Sequence, residues 1–118
     1  MIKVDNLKQR IIQELVPGKQ ITLAHIIANP DPTLYAALSM ETAPHSAIGI
    51  FTVTPPEVAI IIADIAIKSA GVQVVSVDRV SGSLIVTGAV SAVESAAGAI
   101  LEYVGNTLGF ETCSLTKT

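Results

Sequence analysis

The sequence predicts one α+β domain with the strand and helix count of a ferredoxin-like fold in rotated order. Three observations predict it. From Ala47 onward the chain reads strand, helix, strand, strand, helix, with a turn signal at each boundary. An earlier strand and short helix between Gln20 and Leu38 supply the missing pair. A chain of 118 residues has room for one core and no second.

Taken in order, Gln9 to Val16 reads as a short strand that Pro17 and Gly18 end in a turn. Gln20 to Ala28 reads as a second strand, and the two form a hairpin or diverging arms. In Asn29-Pro30-Asp31-Pro32, Asp31 is placed to cap a helix and Pro32 to open it, giving a short helix through Leu38. Met40 to Ser46 reads as a loop. Ala47 to Val53 is a continuous apolar run containing Gly49, which suits a central strand covered on both faces or approached closely by another backbone. Thr54 to Glu57 has capping-box spacing and opens a helix over Val58 to Ala70, which Gly71 ends. Two β-rich runs follow, Val72 to Val80 and Leu84 to Ala89, joined as a hairpin by Ser81-Gly82-Ser83. Ser91 to Glu94 repeats the capping-box spacing before a helix through Val104 rich in small residues. Phe110 to Thr118 alternates weakly, as an extended edge or a frayed end does.

The helix over Val58 to Ala70 argues for self-association. Its only charges, Glu57, Asp64 and Lys68, share one narrow stripe, and the rest of its surface is apolar. A helix on one face of a sheet needs a single apolar face, so this one is expected to meet a second subunit. Composition agrees: half of the residues are hydrophobic, yet 3% are aromatic and 14% charged, and mean hydropathy is +0.60. A domain this small cannot readily hide so much aliphatic surface alone.

Several function classes are excluded. The densest apolar stretch, Val58 to Ile67, is broken by Asp64 and is too short to span a bilayer. The opening MIKVDNLKQRII lacks the apolar core of a secretory signal, so a cytoplasmic location is expected. Seven basic against ten acidic residues and four scattered aromatics offer neither a phosphate footprint nor a stacking platform for nucleic acid. Cys113 is the single cysteine and reads as a plain thiol. His25 lies in a strand pattern and His45 in a loop, with no ligand spacing between them. Glu57, Asp64 and Asp78 each have a structural role available: a helix start, a pair with Lys68, and neighbouring Arg79. No cofactor, metal or catalytic cluster is expected.

Two stretches carry a family resemblance: Ile11-Ile12-Gln13-Glu14-Leu15-Val16-Pro17-Gly18-Lys19-Gln20 with Thr22 to Ala28, and Ser46-Ala47-Ile48-Gly49-Ile50. They resemble the circularly permuted bacterial microcompartment shell proteins of the ethanolamine- and propanediol-utilisation type. The likeness runs from Ile11 to Thr118, through Asp78-Arg79-Val80-Ser81-Gly82-Ser83-Leu84 and Cys113-Ser114-Leu115-Thr116. It implies a non-catalytic homohexamer that tiles, with other shell proteins and around encapsulated enzymes, into the wall of an organelle enclosing an aldehyde-generating pathway of ethanolamine, propanediol or choline use. It also implies an extension over residues 1–19 and a permuted shell domain over 20–118.

By the same resemblance, Lys68 falls where the family places an edge lysine that packs against the next hexamer. Asn29 stands where an edge arginine is common, and Gly71 where an asparagine is. Ser81, Gly82 and Ser83 fall on the loop that lines the pore in unpermuted relatives. In permuted relatives the segments matching Ile11, Ile12, Gln13, Glu14, Leu15 and Val16 form a six-stranded parallel barrel over the axis. A barrel so narrow is filled by its own side chains. Two rivals remain from the residues alone: an oligomeric α+β metabolite sensor, which needs a polar-lined pocket, and a small enzyme using His25 or His45.

Overall fold

The computed structural model describes residues 18–40 and 46–118. Five strands, β1 (Gln20–Ile27), β2 (Ala47–Thr54), β3 (Gln73–Asp78), β4 (Ser83–Gly88) and β5 (Thr116–Lys117), form one sheet in the order β3-β4-β2-β1-β5. The pairings β1–β2, β2–β4 and β3–β4 are antiparallel, and β5 joins β1 in parallel, so the sheet is mixed. Three helices, α1 (Pro32–Ala37), α2 (Val58–Ser69) and α3 (Val90–Glu102), alternate with the strands, and a π-helical turn follows at Tyr103–Thr107. This is an α+β fold in which β2 and β3 run parallel with β4 between them and α2 crossing over, a split βαβ unit.

Helices α2 and α3 lie side by side on one face of the sheet, and the core between the layers is aliphatic apart from Phe51. Ile26, Phe51 and Val53 from β1 and β2 meet Leu84 and Val86 from β4, Ile62 from α2, and Val93 and Ile100 from α3, all fully or almost fully buried. Strict alternation along β1 would point Leu23 inward after Ile21. Instead the register with β2 shifts between Ile21 and Leu23, and the bulge turns Ala24 and Ile26 into the core. Gly49 sits on β2 where a Cβ would come within 2.9 Å of Val93 and 3.0 Å of Val86. The close neighbours that fix this glycine are side chains, so of the two readings the sequence offered, approach by a second backbone is not the one found.

Asp31 does cap α1. Its carboxylate accepts from the Thr33 amide at 3.0 Å and the Thr33 hydroxyl at 2.8 Å, bonds that hold its pKa below the usual carboxylate value, the amide contributing most.

Both capping boxes fail. Thr54 is the last ladder residue of β2, opposite Gln20. Glu57, not Thr54, holds the cap position of α2 with no side-chain cap, and the amides of Val58, Ala59 and Ile60 donate to the carbonyls of Pro55, Pro56 and Glu57. Helix α3 starts a residue too early for Ser91 to cap it: Ala89 holds the cap position, its carbonyl accepts from the Val93 amide, and Glu94 turns instead to Lys117. Two further boundaries move. Ala70, in extended backbone, ends α2, and Gly71 does not take the left-handed conformation that a glycine stop would use. The helix expected through Val104 stops at Glu102 and widens into the π-helical turn, closed by Leu108 N–H to Tyr103 O and Phe110 N–H to Val104 O.

Candidate functional site

Among the described residues no three of His, Cys, Asp and Glu lie close enough together to hold a metal ion. His25 stands between two hydroxyls, with Nδ1 2.6 Å from Thr116 Oγ1 and Nε2 2.9 Å from Thr118 Oγ1. His45 lies outside the described residues. The residues singled out from the sequence instead mark the two ends of the sheet.

At one end is the β3–β4 turn. It is wider than the three-residue Ser81-Gly82-Ser83 expected, because Ser83 pairs with Asp78 as the first residue of β4 and the turn covers Arg79 to Gly82. Asp78 organises it. Its Oδ1 accepts from the amides of Val80 at 2.8 Å and Ser81 at 3.3 Å, and its backbone carbonyl accepts from Gly82 N–H at 2.8 Å. These bonds hold the Asp78 carboxyl below the usual carboxylate range, the Val80 amide contributing most, then the Ser81 amide and hydroxyl. The Gly82 carbonyl accepts from Val53 N–H at 2.8 Å, folding the turn back onto the end of β2. Gly82 has φ +81°, and a Cβ there would lie 2.2 Å from the Val53 carbonyl oxygen. The Ser81 and Ser83 hydroxyls are 3.0 Å apart.

The chain also enters the body at this end. Gln20 opens β1 opposite Thr54, and Gly18, at φ +95°, lies against Thr54. The described chain therefore enters β1 beside the Ser81-Gly82-Ser83 turn. The segment Ile11, Ile12, Gln13, Glu14, Leu15 and Val16 is itself outside the described residues.

At the other end are the remaining three. Lys68, in the last turn of α2, pairs with Asp64 at 2.9 Å, both side chains being largely exposed. Gly71 is exposed, and its carbonyl lies against Gly88, whose strand partner is Ala47. Asn29 is exposed just past the end of β1, where Ile27 pairs with Ile48, the residue after Ala47. The fold thus groups Lys68, Gly71 and Asn29 and sets them a full strand length from the turn.

Sequence reasoning found the apolar excess of α2 but missed that Val77 and Val80 extend it into an exposed rim at the turn end, where they lie with Ile60 beside Asp78 and Arg79. Val80 is 81% exposed and Ile60 53%. A valine inside a polar turn was the available signal.

Comparison with known proteins follows the same geometry. The BMC domain family matches residues 47–114. The chain is 50% identical over 109 residues to the bacterial microcompartment shell protein PduU of Salmonella typhimurium, covering 92% of this chain and 93% of that one. It is 46% identical over 111 residues to the shell protein EutS of Escherichia coli, covering 94% and 98%. Among solved structures it superposes on the CutR flat hexamer with a TM-score of 0.82 and 48% identity, over 87% of this chain and 86% of that one.

Proposed function

This chain belongs to the BMC-domain family and is a shell protein of a bacterial microcompartment, and from that premise we propose that it forms a non-catalytic cyclic hexamer whose axis lies at the Ser81-Gly82-Ser83 end of the sheet and whose outer edge carries Lys68, Asn29 and Gly71. One observation carries the assignment of ends. The two residue sets occupy opposite termini of the same eight-residue strands, about 26 Å apart. A radial tile needs that separation, with one set gathered around the axis and the other facing the next tile. The CutR flat hexamer supports a closed ring.

The reading includes a circular permutation. The family match begins at β2, yet β1 pairs along the whole of β2 and contributes Ile21, Ala24 and Ile26 to the core. In a ferredoxin-like sheet this position belongs to the last strand in sequence; here the first strand takes it. Residues 1–19 are then an extension of the shell domain at 20–118. The entry of the chain beside the turn supports a reading in which the segment Ile11 to Val16 closes a six-stranded parallel barrel over the axis. Such closure would leave no strand edge unpaired. The wall so built would enclose an aldehyde-generating pathway, with other shell proteins and the encapsulated enzymes as neighbours.

Deleting residues 1–16 tests this. The expected variant remains hexameric by light scattering, with a structure whose axis is open to small solutes. A structure of the intact assembly with residues 9–16 packed on their own subunit, away from the axis, would remove the plug and leave the shell assignment in place.

A further inference from the structure

The C-terminal strand is attached to the body in an unusual way. Residues Thr116 to Thr118 are exposed, pair with β1 over two register positions, and are gripped from both faces of the sheet. Successive side chains of a strand alternate between faces. Thr116 and Thr118 meet His25 on one face, while Lys117 reaches Glu94 of α3 on the other at 2.5 Å. The backbone completes the grip: Thr118 N–H donates to the Ile26 carbonyl at 2.9 Å, and Ala28 N–H donates to the Thr118 carbonyl at 2.8 Å.

Thr116 Oγ1 also lies 3.3 Å from the Ala24 carbonyl, and the directions of the two imidazole hydrogen bonds follow the tautomer. One histidine thus reads two hydroxyls spaced two residues apart. A strand joined by so few exposed contacts belongs to the low-stability part of a fold. Upstream, Glu111 is held by backbone bonds to Lys19 and Ile21, and residues 112–115, in no regular element, connect that anchor to the strand.

We propose that the outer edge of β1, with His25 and Glu94, is a strand-acceptor site for a Thr-Lys-Thr segment, filled here by the chain's own terminus and open to the same terminus of a second copy when its own is released. The occupant follows from complementarity: the edge is already seen to match this segment in backbone register, hydroxyl spacing and charge, and every copy carries an identical one. This is β-strand addition, in which the main chain supplies affinity and alternate side chains supply selectivity. The proposal stands on the geometry of one chain and does not rest on the hexamer.

The test uses the full-length chain with Thr116→Pro and Thr118→Pro, which removes both hydroxyls and the Thr118 amide donor but leaves the acceptor edge intact. The probe is a fluorescent peptide of residues 112–118 with Cys113→Ser. The expected result is saturable binding by the variant, little by the wild-type chain, and an affinity at least about tenfold weaker when His25→Ala is added. If the proline variant does not fold, Thr116→Val with Thr118→Val releases the hydroxyls alone and takes its place. A folded variant that binds no peptide, that binds a scrambled peptide equally well, or whose binding ignores His25→Ala would overturn the proposal.

Discussion

At Gly82 a methyl group would meet the Val53 carbonyl oxygen at 2.2 Å, and the backbone already holds φ +81°. Gly82→Ala is therefore expected to destabilise the fold by about 1–3 kcal/mol, read from the midpoint of chemical denaturation. An unchanged midpoint would mean the turn has another conformation available. Asp78 gives a pH prediction. Its carboxyl titrates lower in the folded chain than the ordinary 3.8, so its contribution is complete above that value and is lost as pH falls through the lower folded one. Protection factors of the Val80 and Ser81 amides, corrected for the intrinsic pH dependence of exchange, should hold constant above 3.8 and fall below it, while Asp78→Asn should abolish that acid step. Neither residue's role was readable in full from the sequence. Asp78 was matched to neighbouring Arg79, since one-dimensional reading favours adjacent charges over the amides two and three residues on that a turn brings into reach.

Helix α2 shows how far pattern reading goes. Its extent was legible to within a residue, and so was its excess of apolar surface, since Ile60, Ile61 and Ile67 are each at least 41% exposed. Its cap was not legible, because capping-box spacing gives a cap only if the first residue is free to take that position, and Thr54 is committed to β2. The Asp64–Lys68 pair is exposed and contributes only about 0.3–0.5 kcal/mol. Lys68→Ala should leave the thermal midpoint within a degree or two and the ring intact, while sheets seen by electron microscopy become smaller or fail to form. Dissociated rings would place Lys68 inside the hexamer, not at its edge. The bulge in β1 was illegible for a different reason: it is set by pairing with β2, a partner more than twenty residues away in sequence.

For the molecule as a whole, the uncovered rim of Ile60, Val77 and Val80 is the surface that a lone subunit would expose to water. Covering a largely exposed isoleucine gains on the order of 1–2 kcal/mol, and a ring repeats that gain at every subunit boundary. The wild-type chain is expected to remain hexameric at low micromolar concentration by light scattering, and Ile60→Glu to shift it toward smaller species. A monomeric wild-type chain would refute the ring. Strands β1 to β4 were visible in the periodicity, whereas β5 was left between an extended edge and a frayed end, and the strand expected over Gln9 to Val16 lies outside the described residues. The opposition of the two residue sets was not visible, because it depends on the direction each strand takes after its turn.

The parallel course of β5 along β1 has a practical consequence for anyone attaching cargo. Thr118 bonds to Ile26 and Ala28 at the Lys68 end, whereas the described chain enters β1 at the Gly82 end. In a ring built as proposed, proteins attached at these two points would therefore follow different geometries. Cargo joined just before Lys19 would crowd at the centre, and cargo joined after Thr118 would be spread around the perimeter with room between copies.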